Sequence, residues 1–326
     1  MRKVSWPVKG AFTISRSSLT KIPTVWVEIS ENSQIGRAEC RPYERYGDTV
    51  ESVMQQIESL RGDIESGLKV EELQSLIAPG PARNALDCAL WDLTSKQYGQ
   101  SVSNLLGLPK PKPRTTAYTL SLQSPSEMAD AARKAEDYPV LKVKVDGHSA
   151  VDCVRAVLNT RPDASLIIDA NEGLSRSGVD ALIQAIPNEA ILMLEQPVSS
   201  KVDVTRPFSS IPVICADESL HSQQEISISD LEKLREQGYR AINVKLDKCG
   251  GLTAALNLMK LAKQMDFQIM AGCMVGSSIA MAPMLILESF ADILDLDGPL
   301  LLAEDCVNGL RYEGPKVFPP PSELWG

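Results

Sequence analysis

The chain has 326 residues, 44% of them hydrophobic and 23% charged, and its 33 Lys+Arg against 42 Asp+Glu leave a formal net charge of −9. That length accommodates one large domain and a smaller one, and the acidic balance argues against nucleic acid or an anionic membrane as the main partner. Seven cysteines stand singly without a CxxC pair, the opening residues carry no long apolar run, and no stretch reaches the ~18 apolar residues of a membrane span, so free thiols in a soluble cytoplasmic protein are expected.

Taken in chain order, Thr24-Val-Trp-Val-Glu-Ile29 alternates as a strand with one wet face. Residues 52–60 and 82–97 then carry helical apolar spacing, the second through Ala85, Leu86, Ala89, Leu90 and Leu93. A strand followed by helices implies an α+β unit. Pro109-Lys-Pro-Lys-Pro113 reads as a stiff, extended connector. The expected organisation is an N-terminal capping domain over residues 1–112, joined by the tail 299–326, and a barrel domain over 113–298.

Beyond the connector, apolar β-branched runs alternate with amphipathic stretches. Strands are expected at residues 116–121, 141–145, 166–170, 191–195, 213–216, 241–246, 268–272 and 293–297. Their starts recur roughly every 25 residues, the period of a strand-helix unit with parallel strands, and eight such units imply an α/β fold with a closed, TIM-like (β/α)8 barrel. No GxGxxG or P-loop follows any of them, which disfavours dinucleotide and NTP binding.

Charge sits at the exits of these strands. Lys142 and Lys144 close the second; Asp169, Glu195 and Asp217 close the next three; Lys245 closes the sixth; Asp295 and Asp297 close the eighth. In barrels of this type reactive groups lie at the C-terminal strand ends, and residues two apart on a strand face the same way. The second and sixth of eight strands lie half a circumference apart, so Lys144 and Lys245 face each other across the mouth with the three carboxylates between them. Three clustered carboxylates repel without a cation, and an all-oxygen set suits Mg²⁺ better than zinc. Each lysine is a general acid or base if its pKa falls toward ~7–8, the direction in which a divalent ion and Lys142 push it. One base contributes ~10²–10⁴-fold, too little alone for a proton α to a carboxylate; metal Lewis acidity adds several kcal/mol. Lysine or histidine bases with Mg²⁺ and an ene-diolate are the known pattern of enolase-type sites. Two bases on opposite faces of one carbon imply racemisation or epimerisation.

In these residues the chain resembles the enolase superfamily, in its muconate-lactonising-enzyme-like branch, over nearly its whole length. The resemblance rests on Lys142-Val-Lys144, Asp169-Ala-Asn-Glu172, Glu195-Gln-Pro197, Ala216-Asp-Glu-Ser219, Lys245-Leu-Asp-Lys-Cys-Gly-Gly251 and Asp295-Leu-Asp297-Gly-Pro, all in order. Residues 82–92 look like that family's first-domain helix. Within the branch the chain looks most like the dipeptide epimerases acting on L-Ala-D/L-Glu, a murein-peptide fragment. The resemblance implies a (β/α)7β barrel, Mg²⁺ on Asp169, Glu195 and Asp217, and Lys144 and Lys245 as the acid/base pair. It further implies that Lys142 holds the substrate carboxylate, Asp295 and Asp297 its α-ammonium, residues 272–275 with Cys273 and Met274 the dipeptide backbone, and Thr119 a further contact. Arg16 would pair with the glutamate side chain, and Tyr43-Glu-Arg-Tyr46 is a second lid loop. The chain departs from the pattern at Leu174, where Trp is common, and the register around Arg16 is loose.

Plainer readings stand beside these. Asp295 and Asp297 also read as caps, Lys142 and Lys144 as a solvated edge, Arg16 as a surface charge, Cys273 as pocket wall, and His148 and His221 as solvated loop residues. No histidine ends the seventh strand, which disfavours the His-dependent branches. The rivals are an o-succinylbenzoate synthase or an N-acylamino-acid racemase on the same site and, from other classes, a Schiff-base aldolase using Lys144 or Lys245 and a non-catalytic metal-binding barrel. Homo-oligomerisation and a setting in peptidoglycan recycling are left open.

Overall fold

The computed structural model describes residues 1–201, 212–222 and 224–326. Its first unit is an antiparallel meander of β1 (Arg2–Ile14), β2 (Ser17–Glu31) and β3 (Gln34–Cys40). The alternating stretch seen in the sequence lies inside β2, but β1 was not anticipated. It is an edge strand, largely exposed, with a register shift between Pro7 and Phe12. Pairing with β2, rather than an apolar pattern of its own, makes it a strand. Helices follow, the longest being α1 (Val50–Ser59), opened by a Thr49/Ser52 capping box, and α2 (Pro81–Tyr98), with Pro at its start and Gly99 in the left-handed conformation at its end; the shorter Arg61–Glu65, Val70–Leu76 and Val102–Leu105 accompany them. Helix α2 is buried on nearly every side, including the polar Arg83, Asn84 and Asp87. A helix in that position is a wall between two bodies.

The second unit is a ring of eight parallel strands: β4 (Tyr118–Leu120), β5 (Val140–Lys144), β6 (Ser165–Asp169), β7 (Ile191–Glu195), β8 (Ile214–Ala216), β9 (Ala241–Val244), β10 (Gln268–Gly272) and β11 (Ile293–Asp295). Each pairs with the next, and the Ala117 amide donates to the Leu294 carbonyl at 2.8 Å to bring the last beside the first. Helices α3 (Pro125–Lys134), α4 (Ala150–Thr160), α5 (Arg176–Ala185), α6 (Ile228–Glu236), α7 (Leu246–Cys249), α8 (Leu252–Gln264) and α9 (Ser278–Leu285) lie in the connections. Among the described residues no α-helix follows β11, whose exit carries the 3₁₀ turn Gly298–Leu301, so the last strand closes the ring without a helix of its own.

Two strands end two residues sooner than the sequence implied: Lys245 lies one residue past its strand and Asp297 two past, while Asp217 follows Ala216, where the expected span 213–216 ends. Lys245 keeps extended dihedrals (φ −126°, ψ 130°), so the alternation of side chains continues through it. Inside the ring, Ala117, Ile167, Met193, Cys215, Ala241 and Met270 form one apolar layer. Two residues further along the same strands stand Thr119, Asp169, Glu195, Asp217, Asn243 and Gly272. The barrel is plugged by hydrocarbon below and lined by charge above.

The tail returns to the first unit. Its hairpin, Tyr312–Glu313 with Lys316–Val317, pairs with Arg114–Thr115, and the Trp325 indole donates to Cys88 O of α2 at 3.0 Å. Among the described residues no helix is long and apolar enough to cross a membrane, and all seven cysteines are free thiols.

Candidate active site at the barrel mouth

Register brings the charges side by side. Lys144 lies opposite Asp169 and Asp169 opposite Glu195, while Glu195 lies opposite Cys215, two residues before Asp217. All are buried, as are Lys142, Lys245, Asp295 and Asp297. The Lys144 ammonium donates to Asp169 Oδ2 at 2.6 Å and to Asn171 Oδ1 at 3.1 Å. Lys245 donates to Asp217 Oδ2 at 3.0 Å and stands 4.0 Å from Glu195 Oε1. Strands β5 and β9 are four apart in the ring, so these two lysines approach the mouth from opposite sides. Lys142 is shared among three carboxylates, at 2.7 Å from Asp295, 2.7 Å from Glu195 and 3.1 Å from Asp169.

Electrostatics follow from this crowding. Burial works to raise Asp169 and Asp217, yet the ammonium groups of Lys144 and Lys142, and of Lys245 and Lys248, hold both carboxyls well below the usual range. Glu195 goes the other way: burial and the neighbouring Asp169 carboxylate push it up. Asp297 is likewise raised by burial and by Asp295. Burial works to lower Lys245, but the Asp217 and Glu195 carboxylates hold it above its ordinary value. The fall toward neutrality expected from the sequence is therefore not a property of the protein alone, because the lysine answers to bare carboxylates.

Among the described residues no three His, Cys, Asp or Glu side chains are drawn in on one point as a finished metal shell; lysine ammonium groups stand between the acids. The donors nonetheless fit a hard divalent cation. Asp169, Glu195 and Asp217 are an all-oxygen set from adjacent strands. Glu195 Oε2 lies 2.7 Å from Lys142 Nζ but out of line for a hydrogen bond, leaving a buried carboxylate oxygen without a directed partner.

The remaining sequence-derived residues also converge here. Asp297 Oδ2 accepts from the Thr119 amide at 2.6 Å. Cys273 and Met274 are half-buried beside Leu246 and Asp247, and burial with Asp295 and Asp297 pushes the Cys273 thiol up. Arg16 reaches from the first unit into the mouth, donating to Glu218 Oε1 at 2.7 Å, to Asn171 O at 2.6 Å and to the Tyr43 hydroxyl at 3.3 Å. Arg45, in the Tyr43–Tyr46 turn, pairs with Glu172. Leu174 is buried, so the position that commonly carries Trp is filled by a smaller apolar side chain. His148 is exposed as expected, but His221 is not a solvated loop residue. It is half-buried and stacks on Tyr46 with ring centroids 3.7 Å apart.

Four polar residues were missed by sequence reading. Lys248 donates to Asp217 Oδ1 at 2.7 Å. Asn243 donates to Glu195 Oε1 at 2.7 Å; its facing direction was legible, its partner was not. Gln196 accepts from the amides of Asp217 and Ser219 at 3.0 and 2.9 Å, fixing the turn that carries Asp217. Asn171 holds Lys144. Each lies within or beside a motif already quoted, and adjacency to those motifs was the available signal.

Two family models match almost end to end: "Mandelate racemase / muconate lactonizing enzyme, N-terminal domain" over residues 1–107, and "Enolase C-terminal domain-like" over residues 126–297. The chain belongs to the enolase superfamily. It is 40% identical over 311 residues to an L-Ala-D/L-Glu epimerase of Escherichia coli, covering 94% of this chain and 95% of that one. It is 38% identical to an N-acetyl-D-glutamate racemase of Pseudoalteromonas, covering 92% and 94%. An enolase family member from Agrobacterium tumefaciens with homology to dipeptide epimerases, solved with sodium and L-Ala-L-Glu, superposes with a TM-score of 0.94 at 42% identity, covering 100% and 98%. A dipeptide epimerase from Enterococcus faecalis, solved with Mg and L-Leu-L-Tyr, superposes with a TM-score of 0.86 at 25% identity, covering 98% and 95%. With such relatives, this superfamily member is an isomerase.

Proposed function

We propose that the protein is a Mg²⁺-dependent dipeptide epimerase that inverts the Glu α-carbon of L-Ala-D/L-Glu by 1,1-proton transfer between two lysines. The observation that carries this reading is the pair of buried lysines, Lys144 and Lys245, on strands half a ring apart with three carboxylates between them. Asp169, Glu195 and Asp217 would hold the cation, which supplies Lewis acidity toward the substrate carboxylate. Neutralising those carboxylates also removes what holds Lys245 above its ordinary value, bringing the lysine toward the range of a working base.

One lysine takes the α-proton from its face, the electron pair passes into the adjacent carboxylate as an ene-diolate, and the opposite lysine returns a proton. The Lys142–Asp295 pair has a part in binding. A dipeptide zwitterion brings one ammonium and one α-carboxylate; its ammonium replaces Lys142 at Asp295, beside Asp297, and the released Lys142 meets the substrate carboxylate. Arg16, now held by Glu218, is the cation that reaches in from the first unit toward the Glu side chain.

One rival keeps a specific observation in its favour. Lys142 already neutralises Asp295, so an N-acylglutamate without an ammonium meets less repulsion than two free aspartates would exert. Asp297 has no such lysine partner, and the dipeptide reading expects kcat/KM for L-Ala-L-Glu to exceed that for N-acetyl-L-Glu by at least ~10-fold, the order of one desolvated charge-assisted contact. A Schiff-base role for Lys245 would show as substrate trapped on the protein by borohydride, which proton transfer does not give.

The deciding experiment incubates L-Ala-L-Glu and L-Ala-D-Glu with enzyme and Mg²⁺ in D₂O. Deuterium enters at the Glu α-carbon of both, and EDTA stops it. Lys144→Ala and Lys245→Ala each abolish epimerisation while each retains exchange from one diastereomer. Full epimerisation in either variant would end the two-lysine assignment.

A further inference from the structure

Helix α2 of the first unit grips one segment of the barrel, and that segment carries Lys245. Lys245 is the N-cap of α7, a helix of only four residues that ends at Gly250 in the left-handed region (φ +89°). Arg83, 1% exposed, donates from Nη2 to Cys249 O at 2.7 Å and from Nε to Gly250 O at 3.2 Å, taking carbonyls left over where α7 ends. Its Nη2 also lies 2.5 Å from Glu225 Oε1. Asn84 donates to Asp247 Oδ1 at 2.8 Å, an oxygen that also accepts from the Arg41 amide at 3.0 Å. Asp87 accepts from the Thr253 amide at 3.1 Å, a first-turn donor of α8, whose own N-cap, Gly251, has no side chain to offer. A Cβ at Gly250 would run into the Arg83 guanidinium, and one at Gly251 into Asp87.

Lys144 is placed differently. It is the last residue of β5, the next amide, Val145 N, donates to Asp169 O at 3.0 Å, and its ammonium is held by Asp169 and Asn171 of the barrel itself. One lysine is built into the ladder; the other stands at the start of a short loop-like helix clamped by another unit.

We propose that Arg83, Asn84 and Asp87 are positioning residues for Lys245 and not for Lys144, so that the first unit sets the proton-transfer geometry on one face of the substrate only. The inference rests on the two-lysine reading above. A misplacement of ~1 Å at a reacting group costs up to ~10²-fold, and here it falls on a single face.

The test measures α-proton exchange in D₂O with the Mg²⁺-loaded enzyme, for L-Ala-L-Glu and L-Ala-D-Glu separately. The diastereomer that depends on Lys245 is the one Lys245→Ala no longer exchanges. Arg83→Met and Gly250→Ala, which disturb the clamp from its two sides, slow that diastereomer ~10–100-fold relative to the other, and Arg83→Lys restores part of the ratio. Amide exchange over residues 246–253 of the metal-free protein rises in the same two variants. Lys96→Met, which removes the ammonium bonds to Ile35 O at 2.8 Å and Asp92 Oδ2 at 2.7 Å at the far end of the same helix, lowers Tm and leaves the ratio alone. Equal slowing of both diastereomers, or an unchanged ratio in both Arg83→Met and Gly250→Ala, overturns the positioning role while the epimerase reading stands. No exchange from either diastereomer in the unmodified enzyme overturns that reading, and this inference with it.

Discussion

The two interior layers of the barrel are two residues apart along the same strands and opposite in character. Ile167 precedes Asp169, Met193 precedes Glu195 and Cys215 precedes Asp217. The lower layer is hydrocarbon in full contact, which stabilises the ring through burial and packing. The upper layer crowds acids and lysines out of water, an arrangement whose desolvation cost is offset only by good pairing. One end of the barrel is therefore expected to answer to mutation in stability, and the other in activity.

The largest effect should come from the upper layer. Glu195→Gln removes a carboxylate from the proposed cation cradle and keeps its shape. Epimerisation is expected to fall by ~10³-fold or more, matching the several kcal/mol a metal contributes, with Mg²⁺ binding lost in calorimetry. The metal-free variant should melt no lower than the parent, since a crowded buried charge has gone. Undiminished Mg²⁺ affinity and turnover would remove Glu195 from the ligand set.

The lower layer should invert that result. Ile167→Ala leaves a cavity in a layer with no room to collapse, and a loss of ~2–5 kcal/mol is expected from denaturant unfolding. Activity per folded molecule should stay within about 2-fold, because two residues of strand separate the cavity from the chemistry. A collapse of kcat with little change in stability would mean that the layers are not separable in this way.

A smaller effect probes the seam between them. Gly272 takes the place in the upper layer where any Cβ would collide with the Asn243 amide, which donates to Glu195 Oε1 at 2.7 Å. Gly272→Ala should push Asn243 aside and lower kcat/KM by ~10–100-fold, the range for losing an outer partner of a metal ligand. Asn243→Ala should do the same, and the double variant should be little worse than either, because both act through one hydrogen bond.

The same contrast explains what the sequence disclosed. Eight apolar runs, six of them with charged ends, gave the ring and its mouth, because burial and alternation leave a local signature in each strand. Strand ends expected at residues 246 and 297 fall two residues earlier, at Val244 and Asp295, since extended backbone continues past the last ladder bond. Strand β1 was invisible because its order comes from β2. The partners of Asn243, Lys248 and Arg83 were equally hidden: each depends on a residue brought near only by closure of the ring or docking of the first unit. The fall of Lys245 toward a working base belongs to the metal-loaded site for a related reason, because the sign of its shift depends on whether the facing carboxylates are neutralised.

A carboxyl outside the mouth completes the comparison. Glu39, on β3, is as deeply buried as the mouth acids, but among the described residues no ammonium pairs with it. Its oxygens accept from the Trp6 indole at 2.7 Å and from the Ser277 amide, at the N-cap of α9, at 2.9 Å. Burial therefore wins over these neutral donors and pushes the carboxyl up to about 7. Between ~4.5 and 7 the unfolded chain gives up this proton while the folded protein keeps it, so ionisation favours unfolding as pH rises through that window. Asp87 and Asp247, pushed up to about 6 mainly by burial, act with the same sign. Stability should accordingly decline from pH 5 to pH 8, with Glu39 contributing on the order of 2–3 kcal/mol of the fall. Glu39→Gln keeps an acceptor for Ser277 and loses the titration, so its offset from the parent, whatever its size at pH 5, should shrink or reverse by pH 8. Parallel stability curves for parent and variant would show that Glu39 stays ionised across the range, held down by a cation that reaches it from solvent or by a rearrangement of Trp6.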